Sequence, residues 1–472
     1  MLRGFVIFIV IIFLSSCEKP IRNDVSVLAF SDDTIFFDTV FTTIGSTTRE
    51  LRVINISRDR LLIDNIYLAG GTQSPFRINI DGEAVLSRKQ VQIFPRDSVI
   101  IFVDVIIDPI NNNHPVFISD SIIFETGGDT QKVFLNAWGQ DIILFRDQVI
   151  QTSTWSQLKP YLIYGNLLVD TSQTLFIEKG VKVLFHKNSS MTVAGNIIVS
   201  GTYDAPVLFA SDRLEQPYYD VPGQWKGIFI SSLSSGNFIN HAEIRNPVFG
   251  IRMGDPADAG SAGMPSLKLN AVSIMHSSVT GLAAYYGNVE AVNSVFAHCG
   301  THCLSLTAGG EYNFVHCTLY NSWEYGIRLT PLMFVSEKSQ NVGGVSGQLG
   351  LTLTNCAVYG DLISEIMIVP SSSFPSGNYY FDHCLLKIDT ASFNLWDPAK
   401  LFGVIVNKDP RFIKAVEYDF RPDTLSPLIN SGNIITSDIY PEDIRGASRL
   451  NDTMPDIGAW ERVPGESKTV QR

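Results

Sequence analysis

The sequence predicts an all-β protein: a right-handed parallel β-helix forms its larger part and a separate antiparallel sandwich precedes it. Three observations carry that expectation. A short phrase recurs in the second half, in which Asn or His is followed by a small residue and then by apolar positions on alternate residues. It reads His241-Ala242-Glu243-Ile244, Asn270-Ala271-Val272-Ser273, Asn293-Ser294-Val295-Phe296, His316-Cys317-Thr318-Leu319, Asn355-Cys356-Ala357-Val358 and His383-Cys384-Leu385-Leu386, with 23 to 39 residues between successive leads. Intervals in that range mark a solenoid. Within each unit the residues alternate and are β-branched or apolar, with no helical period, so the units are strands and turns. Finally, the first third shows a different spacing of short alternating runs, set apart by turn signals.

A base period near 23 residues accommodates about three short strands per turn, and turns stack at roughly 4.8 Å. Equal positions then lie above one another. The Asn/His column is expected to hydrogen-bond along the axis at a bend, as side-chain ladders do in stacked sheets. The small residue after it tolerates a crowded corner.

With 472 residues, the chain has room for two or three domains and for a sizeable core. The net charge of −12 and the absence of a recurrent basic patch exclude nucleic acid as a partner class. Cysteines are sparse: Cys17, then Cys299, Cys303, Cys317, Cys356 and Cys384. That is not the density of a disulfide-stapled module.

Residues 1–16 combine a charged start, the apolar run Phe5 to Leu14 and Ser15-Ser16, which is the pattern of a secretory signal and too short to span a bilayer. Leu14-Ser15-Ser16-Cys17 resembles the lipobox of bacterial lipoproteins. The resemblance implies cleavage before Cys17, diacylglycerol on its sulfur and acylation of the new amine. Two or three acyl chains anchor stably, with 17–26 as a lipidated tether. Glu18, not Asp, follows the cysteine, which in such proteins implies the outer membrane.

Between 27 and 147, seven or so short runs, among them Glu50–Ile56, Leu61–Tyr67, Phe76–Ile80 and Val99–Ile107, are punctuated by Gly70-Gly71, Asp81-Gly82 and Gly127-Gly128-Asp129. Such spacing predicts an antiparallel sandwich. The runs Leu51-Arg52-Val53-Ile54-Asn55, Leu62-Ile63-Asp64-Asn65-Ile66 and Phe76-Arg77-Ile78 resemble immunoglobulin-like domains of the abnormal-spindle/Hydin type, which implies a spacer or interaction module.

The solenoid is expected over 158–415. Its opening, through Thr174–Val183, Met191–Gly195, Pro206–Phe209 and Gln224–Ile228, resembles bacterial surface proteins with pectate-lyase-like β-helices. Trp225 is either a sugar platform or a stacked interior aromatic. Gly250-Ile251-Arg252 and Gly326-Ile327-Arg328 are placed at one rung position, and Glu365–Ile368 at its next repeat. Gly/Pro/Ser-rich insertions after Arg252, Arg328 and Ile368 then emerge along one edge, which in repeat proteins is often the binding face.

Cys317, Cys356 and Cys384 share a column and read as small buried hydrophobes. His298-Cys299-Gly300-Thr301-His302-Cys303 has zinc-ligand types, but alternate strand residues face opposite sides, so no metal site is expected. No cofactor is expected either. A lyase needs clustered acids and a base, and Arg252, Asp255 and Asp258 supply those types. A hydrolase needs two carboxylates across the scissile bond, yet no acidic pair recurs on adjacent turns, and no catalytic residue is assigned.

In the C-terminal stretch, Asp419-Phe420-Arg421-Pro422, Ser426-Pro427-Leu428-Ile429-Asn430-Ser431-Gly432, Asp443-Ile444-Arg445-Gly446 and Asp456-Ile457-Gly458-Ala459-Trp460-Glu461 resemble the closing segment of bacterial β-helix proteins of the choice-of-anchor Q type. Residues 416–463 are expected to fold over the exposed end of the coil, with Asp419, Arg421, Asp443, Arg445 and Asp456 structural and 464–472 a polar tail. The whole reads as an antiparallel immunoglobulin-like sandwich followed by a right-handed parallel β-helix solenoid with a C-terminal cap. Its expected role is an exported, lipid-anchored cell-envelope protein of the outer membrane whose β-helix is a non-catalytic binding or structural scaffold, with polysaccharide, matrix or an extracellular protein as ligand. The alternative is a polysaccharide lyase or glycoside hydrolase working in a groove bordered by the three insertions.

Overall fold

Strands with in-out alternation dominate the chain and divide into two compact units, residues 1–141 and 142–472. The computed structural model describes residues 21–22, 28–257, 263–338, 347–369, 378–391 and 393–465. The expected signal peptide, Cys17, Asp258, much of the three insertions and most of the polar tail lie outside the described residues. No helix among the described residues is long and apolar enough to cross a membrane.

The first unit has two sheets. One runs Leu28–Phe30, Arg49–Asn55, Ser98–Val105, Phe76–Ile80, Glu83–Val85, all antiparallel. The other runs Ile21–Arg22, Arg60–Leu68, Val116–Thr126, Asp129–Gln140, Thr34–Phe41, with Ser87–Ile93 also on Arg60–Leu68. Both ends of this order pair in parallel, Ile21–Arg22 on Arg60–Leu68 and Thr34–Phe41 on Asp129–Gln140. The antiparallel sheets expected from the sequence are present, with these two parallel pairings added at the ends, where partners far apart in sequence are free of the hairpin constraint. Inward residues Leu51, Val53, Ile63, Ile78, Ile101, Phe124 and Leu135 form one shared core.

The second unit is built on one 24-stranded sheet with a two-stranded ribbon beside it. Strands of the large sheet pair in parallel from one pass of the chain to the next, so the sheet coils as a solenoid-like core. One stack passes from Ser190–Val193 through Trp225–Ile230, Pro247–Met253, Thr280–Val292, His302–Val315 and Met333–Ser336 to Ile366–Val369. Another passes from Val207–Ser211 through Asn237–Arg245, Ser266–Met275, Val295–Ala297, Thr318–Asn321, Ala357–Gly360 and Leu385–Leu386 to Ile405–Val406. The coil begins earlier than residue 158: Ile143–Ile150 already pairs with Tyr161–Val169, and Ser153–Trp155 with Thr174–Glu178. Alternation around 143–150 suits either sheet, so periodicity alone misassigned it to the sandwich.

Trp225 is buried, stacked on Phe185 at 4.0 Å, and donates from Nε1 to the Arg245 carbonyl at 2.8 Å. It is an interior aromatic and not a sugar platform. Cys299, Cys303, Cys317, Cys356 and Cys384 are free and buried, and no group of three or more His, Cys, Asp or Glu among the described residues is placed to hold a metal.

Strand register corrects the repeat by one residue in one place. Asn240 pairs with Asn270 and Ala242 with Val272, so Ala271, not Asn270, lies beside His241. The corner column is His241, Ala271, Asn293, His316, Asn355, His383 and Gly403, every one left-handed with φ between 47° and 63°. That conformation selects Asn, His and Gly, because most side chains crowd the following carbonyl there. The ladder along the axis exists between Asn355 Nδ2 and His316 Nε2 at 3.1 Å, whereas Asn293 bonds sideways to the Glu442 carbonyl and His383 to Asp382.

The insertions after Met253, Ser336 and Val369 do leave one stack, as the register of their strands shows. Arg328 is not at the position of Arg252, which aligns through Ala283 and Ser305 with Phe334. Its guanidinium is buried, bonding Glu365 at 2.7 Å and the carbonyls of Thr330 and Asn321. Arg328 pins its loop inward instead of opening an insertion.

The C-terminal segment also departs from expectation. It runs back along the flank of the coil, so its described contacts are not those of a lid over the last turn. Asn433 donates to Asn355 Oδ1 (2.6 Å) and Asp382 (2.8 Å), Asn293 Nδ2 donates to the Glu442 carbonyl (2.9 Å), and Tyr440 bonds Glu290 (3.1 Å). The amides of Gly458 and Ala459 bond the Asn355 carbonyl (2.8 Å) and Thr318 Oγ1 (2.9 Å). Gly458 has φ 104°, and an added Cβ there would stand 2.8 Å from that hydroxyl. The motif acids have the expected structural partners: Asp419 takes Arg421 at 2.7 Å, Asp443 takes Arg445 at 3.2 Å, and Asp456 accepts the amides of Asn430 and Arg462.

Candidate functional site

Alternation along Asn237–Arg245 sends Ala242 and Ile244 inward and Glu243 and Arg245 outward. On the next turn Ser273 lies beside Glu243, and Met275 beside Arg245. These outward residues form the floor of a cleft of about 450 Å³.

One wall is the loop after Val207–Ser211, which contributes Gln216, Tyr219 and Asp220; Tyr203, from the turn before that strand, adds to it. The loop is held in place from the coil. Asn246, left-handed at φ 62°, donates to the carbonyls of Tyr218 (3.2 Å) and Tyr219 (2.8 Å), and Gln224 donates to those of Tyr218 and Val221 at 2.7 Å. The opposite wall is the C-terminal segment, through Tyr418, Phe420, Ile444, Arg445 and Trp460. Phe420 and Trp460 contact at 5.7 Å between ring centres.

Most charged groups of the cleft are engaged, although one Asp220 carboxylate oxygen is buried without a hydrogen-bond partner among the described residues. Arg245 pairs with Glu243, bonds the Tyr219 hydroxyl and lies 5.0 Å over that ring. Glu417 meets Lys414 at 3.3 Å. Burial raises the Tyr418 hydroxyl well above its usual range, and the facing Asp220 carboxylate adds to the effect.

Two imidazoles reach the cleft. His276 is 4% exposed and is pushed down to about 3 by burial first, then by His298 and Arg245. Burial also lowers His241, against the pull of Glu442. Both are neutral near pH 7, and among the described residues neither Nδ1 has a hydrogen-bond partner. Aromatic faces beside a fixed Glu–Arg pair suit a ligand with both hydroxyls and apolar faces, and the two unpartnered imidazole nitrogens are buried.

Two of the residues whose types would suit a lyase, Arg252 and Asp255, lie elsewhere. Arg252 meets Asp255 at 3.6 Å and lies 5.5 Å from the Tyr285 ring centre, and Asp255 is half exposed. Neither lines this cleft. The cleft was not expected, because its residues come from three segments far apart in sequence. The available signal was the aromatic-rich Gln216-Pro217-Tyr218-Tyr219-Asp220 between two strands.

No known family profile and no curated protein match the chain. Similar solved structures include a family 123 glycoside hydrolase from Clostridium perfringens, characterised for glycolipid glycan hydrolysis, at 8% identity and TM-score 0.17 over 24% of this chain and 25% of that one. A PapD-like (ASH) domain of human CEP192 aligns at 6% identity and TM-score 0.17, over 29% of this chain and 99% of the domain. A protein of unknown function from Porphyromonas gingivalis aligns at 9% identity and TM-score 0.18, over 27% of this chain and 60% of that one. The chain thus spans a quarter of the length of the first of these, and the cleft stands on its own geometry.

Proposed function

We propose that this is an exported cell-envelope protein, lipid-anchored at Cys17 in the outer membrane, whose right-handed parallel β-helix binds glycan in the flank cleft without cleaving it. The lipobox-like Leu14-Ser15-Ser16-Cys17 supports the anchor, and the parallel stacks support the β-helix. The choice-of-anchor Q resemblance fits a segment that strengthens such a coil. The observation that carries the binding reading is a cleft walled by Tyr203, Tyr219, Tyr418 and Trp460 over the Glu243–Arg245 pair.

Binding is favoured over chemistry because two of the three carboxylates there, Glu243 and Glu417, are tied up in ion pairs. The second reading, a glycoside hydrolase or polysaccharide lyase, moves from the insertions to this cleft, where Asp220, Glu243 and Glu417 line one cavity. The chain from residue 18 onward, incubated with acidic and neutral polysaccharides, is read for binding and for new reducing or unsaturated ends. Binding without new ends is expected. New ends that vanish in Glu243→Gln would replace the binding reading with the hydrolytic one, and silence in both assays refutes the glycan reading.

A further inference from the structure

We infer that one sheet face of the first unit rests on the lipid surface to which Cys17 is tethered. This rests on the anchor reading above.

Phe36, Phe117, Phe134 and Trp138 are 47%, 48%, 41% and 39% exposed, and register gathers them. Trp138 lies opposite Phe117, Phe36 opposite Asn136, and Phe134 beside Thr34. The Phe117 and Trp138 rings meet edge-on at 5.2 Å, Lys132 Nζ stands 4.6 Å over the Phe134 ring, and Ser119 and Asn136 bond between them at 2.8 Å. A contiguous exposed apolar patch marks an interaction site. Aromatic rings mixed with a cation and small hydroxyl groups suit the headgroup level of a bilayer.

The tether selects lipid over a protein partner. Four peptide steps from Cys17 to Ile21 reach at most about 14 Å. Ile21–Arg22 is a strand of this same sheet, paired on Arg60–Leu68. The aromatic strands follow at two to four positions across the sheet, roughly 10 to 19 Å away. Acyl chains and rings are thereby confined to one small area of membrane, where the chains hold the protein and the rings set its orientation.

The test replaces the lipid with a hexahistidine on the chain from residue 18. The protein is tethered to phosphatidylethanolamine/phosphatidylglycerol vesicles carrying a nickel-chelating lipid and brominated acyl chains. Because the chain has six tryptophans, Trp138→Phe isolates the contribution of that ring. Bromine is expected to quench wild-type emission more than that of Trp138→Phe, and the combined Phe36→Ser, Phe117→Ser, Phe134→Ser variant should lose at least half of that difference. Equal quenching of wild type and Trp138→Phe overturns the docking. A wild-type dimer in solution that the triple variant abolishes assigns the patch to a second copy, and overturns it too. Cys17 is tested separately, by the mass of the N-terminal peptide from membranes. An unmodified cysteine refutes the anchor, whereas the vesicle assay alone refutes the docking.

Discussion

Along one flank of the coil the same column of outward residues meets two fates. It reads Glu243, Ser273, Val295, Thr318, Ala357, Leu385. From Val295 onward the C-terminal segment covers it, and those four side chains are buried. Before that point the segment draws aside and Glu243 and Ser273 face the cleft. Backbone conformation at the adjoining corner is identical in both halves, left-handed at His241 and Ala271 as at Asn293 through His383. The repeat therefore specifies the coil, and a non-repeating strap decides which turns are structural and which are free to bind.

The covered half carries the larger energies. Arg449 is fully buried, bonding Asn293 Oδ1 (2.7 Å) and the Gly458 carbonyl (3.1 Å) with Glu461 at 3.6 Å. Removing Arg449 leaves the buried Asn293 Oδ1 and Gly458 carbonyl without that donor, at a cost of about 1–3 kcal/mol each. Arg449→Ala should therefore release the strap, seen as faster amide exchange across 428–461 and a lower denaturant midpoint. Arg245→Ala, on the partly exposed pair in the cleft, should cost about 1 kcal/mol or less. Similar losses from both would mean that the two halves are held alike.

The strap should also respond to pH. Burial first, and then Asp456, push Glu461 from 4.5 up to about 8, and burial pushes Asp456 from 3.8 to about 6. Carboxyls raised in the folded state stabilise it fully below their unfolded values, and that stabilisation is lost as pH rises through the folded ones. Strap stability should thus decline between about pH 4 and pH 8. Glu461→Gln should flatten the upper part of that decline, and a profile unchanged by the substitution would place the titration elsewhere.

Corner substitutions sharpen the contrast at lower energy. Asn355 combines a left-handed φ of 54° with bonds to Asn433 and Thr436, so Asn355→Ala should destabilise by roughly 2–3 kcal/mol. Ala271, at φ 53° in the open half, is the residue least suited to the column. Ala271→Gly should stabilise by up to about 1 kcal/mol, and a destabilised variant would show that the Ala271 methyl contributes more than its backbone costs.

Ala271 also explains how much could be read in advance. Asn and His announce a left-handed corner, so five of the column's seven positions were visible. Alanine carries no such signal, and the neighbouring Asn270 drew the register one residue off, which turns inward positions outward. Arg328 was misplaced by a likeness of Gly-Ile-Arg triplets that the ladder does not honour. Asp419, Asp443 and Asp456 were legible as turn-formers from their Arg and Gly neighbours. Where they dock was not, because docking along a flank leaves no period. With register corrected, the polar-to-apolar change from Glu243 and Ser273 to Val295 marks where the strap begins.

The smallest expected change in stability separates binding from architecture. Tyr219 is 45% exposed, and its ring is met on one side by Arg245. Its backbone is fixed by Asn246 whatever the side chain, so Tyr219→Ala should leave unfolding within about 0.5 kcal/mol of wild type. A stacking face lost from a sugar site weakens binding by about tenfold, near 1.4 kcal/mol. The neutral His276, held near 3, should add no pH dependence to that affinity between pH 5 and 8. Unchanged glycan affinity in Tyr219→Ala would move the binding surface off the open half of the flank. A tenfold loss without unfolding would show that the turns the strap leaves bare are the ones that recognise the ligand.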